Sequence, residues 1–196
     1  MIARTDITGV VLAGGLGRRM SADGQGTDKG LQPFRGQPLV VQALARLQPQ
    51  VGALLVNANR NQDAYRAFGW PVISDRLDGF AGPLAGLASA MASATTDWVL
   101  TVPCDSPFFP DDLAARLAQG AQQAGAPVAV VHTGGQPQPV FLLARRTLLP
   151  DLEAFLATGR RRIDAWYASL SPAIVAFSDE EAFRNLNTLD ELRSLE

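Results

Sequence analysis

At 196 residues, 47% of them hydrophobic and 18% charged, the chain can bury a full core, and one domain over 1–196 is expected. A net charge of −2 gives no bulk electrostatic reason to expect nucleic acid or an anionic membrane as partner. The single cysteine, Cys104, excludes an internal disulfide and any cysteine-based zinc cluster.

Short β-like runs alternate with helical periods along the chain. The apolar, β-branched run Ile7–Leu12 predicts the first strand. Pro38 sits where a first helical turn tolerates it, ahead of Leu39, Leu44 and Leu47. Strands follow at Ala53–Asn57 and Val72–Ser74. Pro83 opens a second helix through Leu84, Leu87 and Met91, and Trp98–Val102 predicts a further strand. Pro110 is expected to open a third helix, with Asp111 and Asp112 complementing its positive end and Leu113, Leu117 and Ala121 at helical spacing. Strands are predicted at Val128–His132, Val140–Leu143 and Ile174–Phe177, with a turn over Gly134-Gly135 and Gln136–Pro139 that sets one late strand antiparallel. Thr188-Leu189-Asp190-Glu191 reads as a capping box starting a last helix through Leu192 and Leu195. This alternation predicts an α/β fold: three layers, with a mostly parallel, doubly wound sheet.

No apolar stretch approaches the roughly 20 residues that span a bilayer. Met1–Asp6 lacks the apolar core of a signal peptide, so a soluble, cytoplasmic protein is expected.

The most informative segment is Val10-Val11-Leu12-Ala13-Gly14-Gly15-Leu16-Gly17-Arg18-Arg19-Met20, closed by Asp28-Lys29-Gly30. Glycines directly after a strand let backbone N–H groups approach an anion without interference from Cβ atoms. Arg19 and Lys29 add charge that a neutral ligand would not need, which points to a polyphosphate. The glycine spacing fits neither a P-loop nor a dinucleotide fingerprint.

Open α/β sheets bind ligands beyond the carboxyl ends of their strands. Three features fall there: the glycine loop, Asp75 after Val72–Ser74, and Pro103-Cys104-Asp105-Ser106-Pro107 after Trp98–Val102. Two carboxylates beside a cationic loop suit a Mg²⁺-bound nucleoside triphosphate, because Mg²⁺ takes one or two carboxylates plus phosphate oxygens and water. Asp105, between two prolines, is the better metal ligand. Lys29 and Arg19 are the candidates to hold phosphates. The implied chemistry is attack by a phosphate on the α-phosphorus, with pyrophosphate leaving; an ionised phosphate needs no general base. That agrees with a chain whose only histidine, His132, stands at a strand end.

Each feature has a structural alternative. Asp75 and Asp105 suit turn or helix caps. Cys104 reads more readily as a small buried residue than as a nucleophile. Gly159-Arg160-Arg161-Arg162 fits a C-capping glycine with a solvated basic face as well as it fits an anion site.

The loop Leu12-Ala13-Gly14-Gly15 with Gly17, Arg19, Met20 and Asp28-Lys29-Gly30 resembles the opening loop of nucleotidyltransferases, and above all that of the molybdenum cofactor guanylyltransferases (the MobA type). Val56-Asn57-Ala58-Asn59-Arg60, Gly82-Pro83-Leu84-Ala85-Gly86, Pro103–Pro107 and Asn185-Leu186-Asn187-Thr188 resemble further segments of that family in the same order. The likeness implies a Rossmann-like nucleotidyltransferase fold that transfers GMP from GTP to molybdenum-bound molybdopterin. It implies that Leu12, Ala13, Gly14 and Gly15 with Asn57 and Asp75 hold the guanine nucleotide. Lys29 and Arg19 would act on the phosphates and Asp105 would carry Mg²⁺. Gly82, Arg161, Arg162, Asn185 and Asn187 would line the molybdopterin side. Residues to about 105 would then form the nucleotide half and the remainder the acceptor half. A monomer that receives its acceptor from upstream biosynthesis proteins is expected. Ser21–Thr27 is longer than the family's usual link, and Ser21 replaces a frequent glycine.

Two rivals remain at this level. Cytidylyltransferases acting on the same cofactor, or on a sugar or alcohol phosphate, carry Leu-Ala-Ala-Gly where this chain has Leu12-Ala13-Gly14-Gly15. A non-catalytic GTP-binding adaptor would keep the glycine loop but lose Asp105 or Lys29, and both are present.

Overall fold

A computed structural model describes residues 1–13, 28–76 and 82–195. From the N-terminus run β1 (Ile7–Leu12), a small hairpin of β2 (Pro33–Phe34) and β3 (Gln37–Pro38), α1 (Leu39–Leu47), β4 (Ala53–Asn57), α2 (Gln62–Arg66) and β5 (Val72–Ile73). There follow α3 (Pro83–Ser93), β6 (Trp98–Pro103), α4 (Leu113–Ala124), β7 (Val128–Thr133) and β8 (Gln136–Arg145). The chain closes with α5 (Leu149–Ala157), α6 (Ile163–Tyr167), β9 (Ala173–Phe177) and α7 (Leu189–Ser194).

Seven strands form one sheet in the order β5-β4-β1-β6-β8-β7-β9. β1 lies inside it, parallel to β4 on one side and to the central β6 on the other, and its first five residues are buried. Burial on both faces is what a near-continuous apolar run implies for a parallel strand. Ile7 and Val11 face one core, where α1 contributes Val40, Leu44 and Leu47 and α4 contributes Leu113 and Leu117. Val10 faces the other, with Leu84, Leu87 and Met91 of α3 and Leu152 and Leu156 of α5. The expected three-layer architecture follows from that alternation.

β8 pairs antiparallel with both β6 and β7, while β9 returns parallel to β7, so β8 is the one reversed strand. The turn before it is Gly134-Gly135 alone, with φ of 53° and 75°. Positive φ at both central residues defines a two-residue hairpin turn that glycine adopts without steric cost. Gln136–Pro139 is therefore not turn but the start of β8. The register with β7 jumps from Val130↔Leu142 to Val131↔Gln138, and the intervening Pro139, Val140 and Phe141 bulge out of the ladder. A proline cannot donate to a ladder, and the bulge accommodates Pro139.

Other boundaries also differ from expectation. Pro38 ends β3 and caps α1 from outside, and α4 begins at Leu113, not at Pro110. Asp112 stands at the N-cap of α4 without a side-chain cap bond, and Asp111 pairs with Arg46 instead, 2.7 Å away.

Candidate active site

The carboxyl ends of β1, β4, β5 and β6 converge on one rim. Past the strands, the Ala13 N–H still donates to the Asn57 carbonyl at 2.8 Å, Ala58 to Ile73 at 2.9 Å, and Cys104 to Leu12 at 3.1 Å. These bonds hold Leu12, Ala13, Asn57 and the start of the Asp105 loop in fixed register. Asp75 lies two residues beyond β5, and among the described residues its side chain binds two asparagines. Its carboxylate accepts the side-chain amides of Asn57 at 3.0 Å and Asn59 at 2.8 Å, while its own N–H donates to Asn59 Oδ1 at 2.8 Å. Gly86 of α3 presses on this group: a Cβ there would fall 2.6 Å from Asn57 Oδ1 and 2.8 Å from Leu12 Cδ2. Gly82 stands before α3 with φ of 76°, a conformation that favours glycine.

A second cluster lies at the end of β6. Lys29 Nζ donates to Asp105 Oδ2 at 3.0 Å and to Asn187 Oδ1 at 2.5 Å. The Leu186 N–H donates to the Asp105 carbonyl at 2.8 Å, and the buried Ser106 hydroxyl donates to Asn185 Oδ1 at 2.5 Å. The Asn185–Asn187 segment is thus bound directly to the Asp105 loop, although some eighty residues separate them. Two features fix it. Phe183, two residues upstream, packs edge-on against Phe141 of the β8 bulge and against Phe177 of β9, with ring centroids 4.9 and 5.0 Å apart. Downstream, Thr188 and Glu191 form the expected capping box of α7, and Glu191 also accepts the Asn187 N–H at 2.6 Å. Those backbone donors hold the Glu191 carboxyl below its usual pKa.

Sequence reasoning missed the third group. The Tyr65 hydroxyl, on a fully buried ring of α2, donates to Asp28 Oδ1 at 2.5 Å and lies 3.5 Å from the Ala13 carbonyl. Asp28 also accepts from the Asn61 amide at 3.0 Å and the Gly30 N–H at 3.2 Å. Tyr65 sits in a helix too short for periodicity to mark, so only the contact reveals it.

Burial, and then the nearby Asp105 and Asp28, push the Cys104 thiol well above its usual pKa, so it is a core residue and not a nucleophile. Gly159, at φ of 83°, ends α5 by donating to the Leu156 carbonyl at 3.0 Å, as a C-capping glycine does. Arg161 donates to the same carbonyl at 2.8 Å, and exposed Arg162 pairs with Asp164. The described hydrogen bonds of these two arginines do not reach Lys29, Asp105 or Asn185–Asn187. His132 lies between Pro137 of β8 and Ala176 of β9, and has no place among these clusters. Gly14, Gly15 and Arg19 lie outside the described residues.

The family model described as a MobA-like NTP transferase domain matches residues 9–173. The chain belongs to that family. As one of the MobA-like NTP transferases it is a nucleotidyltransferase, and the resemblance carried by its motifs holds over the full length. The molybdenum cofactor guanylyltransferase of Cupriavidus pinatubonensis is 52% identical over 201 residues, covering 100% of this chain and 99% of that protein. The protein of the same name from Methylibium petroleiphilum is 52% identical over 204 residues, covering 100% and 98%. Among solved structures, molybdopterin-guanine dinucleotide biosynthesis protein A of Archaeoglobus fulgidus superposes with a TM-score of 0.75 at 21% identity, covering 96% of each chain. CMP:2-keto-3-deoxy-manno-octonic acid synthetase complexed with CTP superposes at 0.71 with 15% identity, covering 98% of each. The architecture of this family is therefore shared by enzymes that use different bases.

Proposed function

We propose that this protein transfers GMP from GTP to molybdenum-bound molybdopterin, giving the guanine dinucleotide form of the cofactor and pyrophosphate. The observation that carries this reading is the Lys29–Asp105–Asn187 cluster at the carboxyl end of β6. It places a cation and a carboxylate where one segment of each half of the chain meets. The likeness to the guanylyltransferases supplies the base and the acceptor.

In this reading Leu12, Ala13, Gly14 and Gly15 hold the guanine nucleotide together with the Asn57–Asp75 pair. The acceptor lies towards Gly82, Asn185 and Asn187, with Arg161 and Arg162 as its anion ligands. An oxygen of the acceptor phosphate forms a bond to the α-phosphorus of GTP while the α–β bridging bond breaks and pyrophosphate departs with the electron pair. The attacking oxygen is already ionised, so no side chain need remove a proton. Lys29 binds the phosphates and offsets charge on the leaving group, and Arg19 is assigned to the phosphates as well.

Mg²⁺, when bound, adds positive charge to the triphosphate oxygens. Among the described residues no three His, Cys, Asp or Glu side chains converge as a metal cage. Mg²⁺ held largely by phosphate oxygens and water asks for no such cage, and the Asp105 carboxylate fits as its protein ligand. No described helix is long and apolar enough to cross a membrane. Action in the cytoplasm, as a monomer fed by upstream biosynthesis proteins, completes the proposal. Pyrophosphate release dependent on GTP, Mg²⁺ and molybdenum-bound molybdopterin tests it. Binding of GTP without any release would instead fit an adaptor.

A further inference from the structure

The Asp28-Lys29-Gly30 segment carries an unassigned partner. Tyr65 rises from α2, its ring fully buried, and its hydroxyl meets the carboxylate of the residue before Lys29. Gly30, the residue after Lys29, makes room for it: a Cβ there would fall 2.5 Å from Tyr65 Oη and 3.3 Å from two ring carbons. Asp28 is then held by three donors from two directions, Tyr65 Oη, Asn61 Nδ2 and its own turn's Gly30 N–H. Lys29 is the first residue of the short 3₁₀ turn that Asp28 caps. Its backbone is fixed before its side chain reaches Asp105.

We infer that Tyr65 is a positioning residue for the reaction, acting through Asp28 to place the Lys29 ammonium over the nucleotide's phosphates. The requirement for glycine at position 30 follows from the same contact. Burial, and then the neighbouring Cys104 and Asp28, hold the hydroxyl well above its usual pKa, so it remains a donor throughout the working range. A long, flexible lysine pays rotamer entropy each time it engages a phosphate, and a fixed backbone leaves only the side chain to order. The inference rests on Lys29 being the phosphate ligand of the proposed reaction.

The test is a double-mutant cycle on the full chain, read by calorimetric titration with GTP and Mg²⁺, which needs no turnover. Tyr65→Phe should weaken GTP binding about tenfold when Lys29 is present, since a hydrogen bond to a charged group is lost. In a Lys29→Met background the same change should leave GTP affinity unaltered. Equal losses in both backgrounds, or none in either, would overturn the inference. If Lys29→Met alone binds GTP and releases pyrophosphate as the unaltered chain does, the assignment of Lys29 fails first, which is a separate result. Gly30→Ala gives a second route should Tyr65→Phe fail to fold. It should reproduce the Lys29-dependent loss of affinity, and much of its effect should vanish when Tyr65 is Phe, because the clashing hydroxyl is gone. An undiminished Gly30→Ala effect in that background would also contradict the inference.

Discussion

Lys29 and Asp105 form an ion pair of 3.0 Å, with each side chain only about 15% exposed. Seventy-six residues apart in the chain, they are joined because the segment after β1 and the loop after β6 leave neighbouring strands at the same rim. In the proposed reaction Asp105 would hold Mg²⁺, which would offset negative charge on the triphosphate, and Lys29 would bind a phosphate.

Asp105→Asn should abolish pyrophosphate release while preserving the fold. The asparagine keeps the size and one acceptor for Lys29, so the expected loss of stability is about 1–3 kcal/mol. Wild-type rates at ordinary Mg²⁺ would show that another group carries the metal.

Gly86→Ala should weaken GTP binding and lower stability together. The added methyl would lie 2.6 Å from Asn57 Oδ1, so α3 must retreat or Asn57 must leave Asp75. A cost of about 1–3 kcal/mol is typical of such overpacking. Thermal melting with and without GTP measures both effects, and an unchanged melting shift on GTP addition would detach Asn57 from the nucleotide site.

Cys104→Ser should change kcat far less than Asp105→Asn. With its pKa raised by burial, the thiol stays protonated at neutral pH and reacts slowly. Thiol-reagent labelling of the folded chain at neutral pH should therefore be slow and should accelerate only on denaturation. Rapid, stoichiometric inactivation that Cys104→Ala prevents, with loss of turnover in that variant, would oppose the assignment.

Arg161→Ala and Arg162→Ala should separate. Arg161 donates to the Leu156 carbonyl at the end of α5, so its removal should cost about 0.5–1 kcal/mol of stability besides any effect on the acceptor. Among the described residues the exposed Arg162 side chain pairs with Asp164, and its loss should be nearly neutral for folding. If both line the acceptor site, each substitution raises KM for molybdopterin and spares GTP affinity. Unchanged KM in both variants would leave them as a helix end.

Much of the sheet was legible because buried parallel strands are continuous apolar runs: Ile7–Leu12 and Ala53–Asn57 have the expected limits. The β8 bulge was not legible. Its prolines look like turn residues locally, and only pairing with β7 shows that Gln136 already belongs to a strand. The Asp75 and Asp105 positions could be read because they follow strand ends. The Tyr65–Asp28 and Ser106–Asn185 bonds could not, since both join residues far apart in the chain without any local pattern. Pro110 misled because a proline suits a first helical turn, whereas here it accepts the first bond of a turn leading to Leu113.

The most direct test is a side-by-side measurement of pyrophosphate release with GTP and with CTP, using molybdenum-bound molybdopterin and Mg²⁺. Guanylyl transfer requires rapid release with GTP, little with CTP, and guanine in the dinucleotide product. Release with CTP as fast as with GTP, or faster, would contradict that account and favour cytidylyl transfer on the same fold.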